Sequence, residues 1–241
     1  MNKTVCWISG GVSSFVAAYL MKPQIDDFIY IHIDNQHEDT LRFVKDCERA
    51  LNKPIVILQS PYKNVENVLR VFKWINSPIQ GAKCTQVLKK RVRQEWELDH
   101  KDYKITYVWG FDAEENERAN RLIEYMPQFN HAFPLIKMKL SKADAHGILQ
   151  QLNIRRPVMY NMGYNNNNCI GCVKGGMGYW NKIRNDFPQA FETIAKVERE
   201  IGASCINGTF LDELDPNRGH SVKDIPMECG ILCEMLASHN L

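Results

Sequence analysis

The chain runs an apolar strand, "TVCWIS" over 4–9, straight into Ser9-Gly10-Gly11-Val12-Ser13-Ser14. It leaves as the apolar helix "SSFVAAYLM" over 13–21. Strand, glycine-rich turn and helix in that order set free backbone N–H groups and the positive end of a helix at the edge of a sheet, an arrangement suited to phosphate. The two glycines let backbone approach an anion, and Ser9, Ser13 and Ser14 add hydroxyl donors. A Walker loop would continue with Gly-Lys-Ser/Thr, and a dinucleotide fingerprint would carry a third glycine; neither is present. A tight turn with a serine N-cap is the alternative reading of these residues.

The alternation continues. Strands are expected over 28–34, 54–60, 105–111 and, briefly, 131–136, and helices over 39–51, 64–75, 83–98 and 114–126. Continuous apolar strands separated by helices imply a parallel sheet covered on both faces. Right-handed crossovers then give an α/β fold: a doubly wound, five-stranded parallel sheet with ligands at the carboxyl ends of its strands. From about residue 140 the pattern changes to a helix over 141–154, an Asn- and Gly-rich loop over 160–180, a helix over 181–202 and an irregular tail. We therefore expect a nucleotide-binding α/β domain over 1–140 and a C-terminal helical and irregular extension over 141–241 packed on it. At 241 residues and 44% apolar, the chain can bury such a core. Its net charge of +2 argues neither for nor against a nucleic-acid partner. The sequence shows no membrane span and no signal peptide, so a cytoplasmic protein is expected, and a homo-oligomer.

Eight cysteines in a cytoplasmic chain call for a reading other than disulfides. Cys6 and Cys47, in a strand and a helix, read as small core residues. Cys169-Ile170-Gly171-Cys172 has metal-ligand spacing, since two thiolates can reach one metal from a tight turn. Cys84 is the natural third ligand. Cys233, ahead of Cys205 and Cys229, is the candidate fourth. Three readings stand: a [4Fe–4S] cluster, a structural zinc, or free redox-active thiols. Lys89 lies one helical turn beyond Thr85 and near Cys84, and suits a phosphate or sulfate. The rest of the basic run over 88–93 reads as a solvated helix face, with a nucleic-acid contact as the alternative. Arg118 and Arg121 share a helix face beyond the fourth strand and suit a triphosphate or phosphosulfate. Their alternative is pairing with Glu114, Glu115 or Glu117. Asp34, closing the second strand, is a candidate for a ribose hydroxyl or Mg²⁺, with a plain N-terminal turn acid as the alternative.

Six segments together resemble the phosphoadenosine phosphosulfate (PAPS) reductase family of the adenine-nucleotide alpha-hydrolase-like enzymes. They are "SGGVSS" (9–14), "HIDNQHEDTLRFV" (32–44), "KCTQVLK" (83–89), "GFDAEENERANR" (110–121), "MYNMGYNNNNCIGC" (159–172) and "MECGILC" (227–233). The resemblance implies that residues 9–14 hold the phosphates of an adenine nucleotide, namely PAPS, adenosine phosphosulfate or ATP. It places Gly110 in the substrate segment and makes Cys229 the nucleophile that attacks sulfonate sulfur, with Lys89 beside the reaction. A thioredoxin-like or other dithiol would then release sulfite. Two departures stand out. Asp112-Ala113 occupies the place of the family's paired arginines, and Cys84 stands alone where iron–sulfur members carry adjacent cysteines. Both favour a second reading, in which Mg²⁺-ATP adenylates a nucleobase or other acceptor and sulfur displaces AMP. A nucleotide-sensing protein without turnover is the third.

Overall fold

The computed structural model describes residues 1–76 and 81–219. Strands β1 (Asn2–Ile8), β2 (Asp27–His32), β3 (Ile55–Gln59), β4 (Lys104–Val108) and β5 (Asn130–Ala132) form one sheet in the order β3-β2-β1-β4-β5. Every pairing is parallel; Cys6 stands opposite Phe28 on one side and Val108 on the other. The chain winds outward from β1 to β3, then crosses back to lay β4 on the other side of β1. Strand order reverses there, so a crevice opens beyond the carboxyl ends of β1 and β4, where open α/β sheets bind ligands.

Both faces are covered over β1, β2 and β4, while Val56 and Ile57 of the edge strand β3 stay exposed. Side chains still alternate. Cys6, Ile8, Phe28 and Tyr30 face a core built with α1 (Val12–Leu20), α2 (Asp39–Leu51) and α8 (Lys142–Gln151), centred on Phe15, Phe43, Ala145 and Leu149. Val5, Ile29 and Tyr107 face the other way, with Met126, Trp7, Trp96 and Phe129. A third core joins α3 (Val65–Phe72) to the C-terminal helices α10 (Met177–Asp186) and α11 (Pro188–Ile201) around the fully buried Trp180.

Three expectations change. The strand expected over 131–136 ends at Ala132, because Pro134 opens the short helix α7 (Pro134–Lys137) at a position where its missing N–H costs nothing. The helix expected over 181–202 is two helices. Phe187, at φ −139°, ends α10 and begins α11, since the residue before a proline avoids helical backbone. The helix expected over 83–98 is composite: α4 (Lys83–Thr85), a π-helical turn (Gln86–Lys90) and α5 (Arg91–Asp99). The segments α6 (Asn116–Tyr125) and α9 (Val158–Asn161) complete the helices used below. No helix among the described residues is long and apolar enough to cross a membrane.

His146 of α8 is buried at 1% exposure, stacks edge-on against Tyr160 at 4.6 Å, and has no hydrogen-bond partner for either ring nitrogen among the described residues. Burial, then the Arg156 and Lys142 charges, push its pKa down from 6.5 to about 4. The native state keeps the ring neutral while the unfolded chain takes up a proton below pH 6.5. Stability present above that pH is therefore lost as pH falls towards 4, by roughly 3 kcal/mol. Urea midpoints across that window should fall less steeply in His146→Leu than in wild type.

Candidate functional site

Ser9 to Val12 cross from the end of β1 into α1. Gly10 takes φ +81°, and a Cβ there would meet the Thr40 methyl at 2.8 Å, so only glycine passes this point. Gly11 caps α1 with no side-chain hydrogen bond, and no acidic side chain stands in the first turn. The positive helix end is thus left without a carboxylate of its own. Two of the three serine hydroxyls make hydrogen bonds within the loop. Ser14 is buried; its hydroxyl donates to the Gly11 carbonyl at 2.8 Å and accepts the Ser9 N–H at 3.0 Å. Ser9 donates to Ser14 at 3.0 Å and accepts the Gly11 N–H at 3.3 Å. Both hydroxyls shape the loop from within, and the half-buried Ser13 is the one that takes no partner among the described residues.

Three residues that sequence reasoning did not single out brace this loop. The Tyr160 hydroxyl accepts the Val12 N–H at 3.4 Å. The buried Asn167 amide donates to the Gly10 carbonyl at 2.8 Å and to the Thr40 hydroxyl at 3.0 Å. Gln36, also buried, lies 3.6 Å from the Cβ position of Gly10 and accepts the Tyr30 hydroxyl. Asn167 stands among four consecutive asparagines; the other three are exposed. Nothing in the sequence distinguishes it from them.

Gly110 follows β4 on the far side of the crevice. A Cβ there would stand 2.4 Å from the Cα of Ser14, so this glycine lets the β4 loop lie directly on the first turn of α1. Next comes Asp112, buried, its carboxyl pushed above the usual range by burial and bonded to the Glu114 N–H at 3.1 Å. Arg118 of α6 pairs with Glu115 and lies 4.2 Å from the centre of the Phe111 ring. The ion-pair alternative thus describes Arg118 in this structure. Arg121 is exposed on the same helix. Asp34 lies beyond β2, exposed, accepting the Gln59 amide at 2.6 Å with the His32 ring 3.6 Å away.

The second half of the site is sulfur-rich. Gly171, at φ +72°, turns the Cys169–Cys172 segment back on itself. The Tyr179 hydroxyl accepts the Cys172 N–H at 2.9 Å and donates to the Cys169 carbonyl at 3.0 Å, and Ile170 N–H binds the Asn35 carbonyl at 2.8 Å. The turn is therefore pinned beyond the carboxyl end of β2, and Cys169 lies two residues along the chain from Asn167, which donates to the Gly10 carbonyl. Cys84, on α4, lies within electrostatic reach of Cys169 and Cys172. Cys205 lies within reach of Cys84 and Cys172. Lys89, exposed on the π-helical turn, lies within electrostatic reach of Cys84 and Cys169, and Lys174 within reach of Cys84. Short π segments recur at functional sites. Burial pushes the Cys169 thiol up to about 12 and those of Cys84 and Cys205 upward. Cys6 and Cys47 are buried in the core, as expected. Cys229 and Cys233 lie outside the described residues.

Among the described residues, no three His, Cys, Asp or Glu side chains stand in one coordination sphere. Cys84, Cys169 and Cys172 lie within electrostatic reach of one another, as do Cys84, Cys172 and Cys205, and thiols are soft donors.

The chain is 26% identical over 204 residues to the uncharacterized protein MJ0066 of Methanocaldococcus jannaschii, an alignment covering 80% of this chain. It spans 40% of that relative's length. Residues 3–177 match the phosphoadenosine phosphosulfate reductase domain. That match takes in the phosphate loop, the β4 crevice, Cys84 and the Cys169–Cys172 turn, and the chain belongs to the phosphoadenosine phosphosulfate reductase domain family.

Proposed function

We propose that this chain performs sulfur chemistry on an adenine nucleotide, as a PAPS reductase-like enzyme. The observation that carries this reading is that Cys169, within electrostatic reach of Cys84, Cys172 and Lys89, lies two residues along the chain from Asn167, which donates to the Gly10 carbonyl. The loop Ser9–Ser14 receives the adenosine-linked phosphates through backbone N–H groups, with Ser13 as its free hydroxyl. Lys89 and Lys174 then supply the positive charge that the family's paired arginines would bring, and Arg121 and Asp34 border the crevice.

In that reading a cysteine thiolate attacks the sulfonate sulfur of PAPS or adenosine phosphosulfate. An S–S bond forms, the S–O bond to phosphate breaks, and the nucleotide leaves with the electron pair. A thioredoxin-like dithiol then attacks the cysteine sulfur, releasing sulfite as the dithiol becomes a disulfide. Cys229 is the proposed nucleophile. Cys84, Cys169 and Cys172 would hold a [4Fe–4S] cluster or zinc, which supplies local positive charge and, in the cluster, an iron able to carry sulfur. Asp112 and Glu115 favour a second reading. Carboxylates in this crevice suit Mg²⁺-ATP, the substrate of an ATP-dependent sulfur transferase acting on a nucleobase or other acceptor.

Both readings are tested on the full chain, purified anaerobically, by calorimetric titration with PAPS, adenosine phosphosulfate and Mg²⁺-ATP and by assay of sulfite and AMP. Reduction predicts sulfite release with a dithiol and no need for ATP. Sulfur transfer predicts AMP release only from Mg²⁺-ATP with an acceptor. Failure to bind any of the three nucleotides would defeat both.

A further inference from the structure

Two carboxamides flank Gly10. Asn167 Nδ2 and Gln36 Nε2 each lie 3.6 Å from where a Cβ on Gly10 would stand. Asn167 spends its amide hydrogens on the Gly10 carbonyl and the Thr40 hydroxyl. Gln36 is held from its other end. Its Oε1 accepts the Tyr30 hydroxyl at 2.5 Å and the Ile33 N–H at 3.2 Å. A backbone N–H can only donate, so the bond from Ile33 fixes which end of the amide is oxygen. Nε2 is thereby turned toward the phosphate loop, and among the described residues it takes no acceptor. Gln36 is 7% exposed, and a buried amide donor left without an acceptor is costly. Gly10 has no side chain to stand between Nε2 and the loop backbone. The loop has also spent two of its own donors, the Gly11 N–H on Ser9 and the Val12 N–H on Tyr160.

We propose that Gln36 is a further binding residue of this site, its Nε2 donating to a phosphate oxygen of the ligand on Ser9–Ser14, and that Tyr30 is the positioning residue that sets the amide. The proposal rests on reading this loop as the seat of an adenine nucleotide. It makes phosphate, and not base or ribose, the group met beside Gly10. The Tyr30 hydroxyl has one proton to give and gives it to Gln36 Oε1, with His32 Nδ1 at 3.3 Å as its second neighbour. Both Nε2 hydrogens stay free for the ligand. A neutral amide adds a donor without adding charge, which suits an anion whose charge is already met by the start of α1.

The full chain and its Gln36→Leu, Gln36→Glu and Tyr30→Phe variants are titrated calorimetrically with pyrophosphate, PAPS, Mg²⁺-ATP and adenosine. Gln36→Leu should bind the phosphate-bearing ligands about tenfold to a hundredfold more weakly than wild type, the range of one hydrogen bond to a charged oxygen. A loss shared by adenosine moves the contact to the nucleoside and overturns the assignment. Gln36→Glu keeps an acceptor for Tyr30 and Ile33 but sets a carboxylate oxygen against the phosphate, so it should weaken binding more than Gln36→Leu. Either variant binding as tightly as wild type overturns the assignment while leaving the nucleotide reading in place. Wild type that binds none of the four defeats both. Tyr30→Phe should weaken binding less than Gln36→Leu and add nothing in the double variant; fully additive losses would overturn its positioning role. Wild type alone covers a variant that does not fold. Its Gln36 side-chain amide resonances, assigned by their absence from Gln36→Glu or by backbone connectivity, should move when ligand is added, and resonances that stay in place overturn the proposal.

Discussion

Gly110→Ala is expected to lower folding stability by about 3 kcal/mol, the upper end of what overpacking a tight site costs, and to abolish nucleotide binding. The backbone dihedrals at Gly110 are not the obstacle; space is. An added Cβ would stand 2.4 Å from Ser14 Cα, 2.6 Å from Ser14 N and 2.8 Å from Ser13 C. All three are backbone atoms of the first turn of α1, so no side chain can swing aside. Nor can the turn retreat easily, because the Ser14 hydroxyl ties it to both Ser9 and Gly11. Either α1 or the β4 loop must shift by about an ångström, and that shift lands on the phosphate loop. Urea unfolding at constant m-value measures the first effect and calorimetric titration the second. A variant within 0.5 kcal/mol of wild type, the range of an ordinary surface substitution, would show that the two segments are not in contact.

The sequence already carried most of the sheet. β1 to β4 are apolar runs bounded by helices, and such runs fit strands of a parallel sheet, although the edge strand β3 leaves Val56 and Ile57 exposed. The phosphate loop was equally legible, because Ser9-Gly10-Gly11 between strand and helix is a local feature whose glycines answer local geometry. What failed was local in another way. Pro134 and Pro188 sit inside apolar patterns that fit a strand and a longer helix, although each opens a helix of its own. The π-helical turn at Gln86–Lys90 leaves no periodicity by which it could be found.

The site divides along the same line. The spacing of Cys169 and Cys172 is visible in the sequence; that Cys84 lies within electrostatic reach of both depends on the fold. Cys205 ranks behind Cys233 when the sequence alone is read. Its nearness to Cys84 and Cys172 is a tertiary fact, since α11 carries the chain back before it. Asn167 was hidden among identical neighbours, and Glu198 within the charged stretch "KVEREIG" of a helix whose exposed face carries Arg199 and Glu200. Burial distinguishes these residues, and burial depends on what packs against them.

Glu198→Ala should therefore have a large effect for a residue that reads as a surface charge: roughly 2 to 6 kcal/mol, from two buried N–H donors left unpaired at about 1 to 3 kcal/mol each. The carboxylate is fully buried, and its partners are backbone amides that cannot turn to water. Gln keeps one carbonyl acceptor at the same place, so Glu198→Gln should lose distinctly less than Glu198→Ala. Ionisation adds a pH dependence of defined sign. Burial raises the Glu198 pKa above its unfolded value, outweighing the N–H bonds from Cys205 and Leu211 that lower it. The favourable contribution is complete below the unfolded carboxylate pKa and is lost as pH rises through the higher native value. Wild type should thus gain stability relative to Glu198→Gln as pH is lowered through that interval. A difference between the two that does not change with pH would mean that Glu198 keeps the same protonation state in folded and unfolded chains, and an alanine variant as stable as the glutamine one would mean that the Cys205 loop has another anchor.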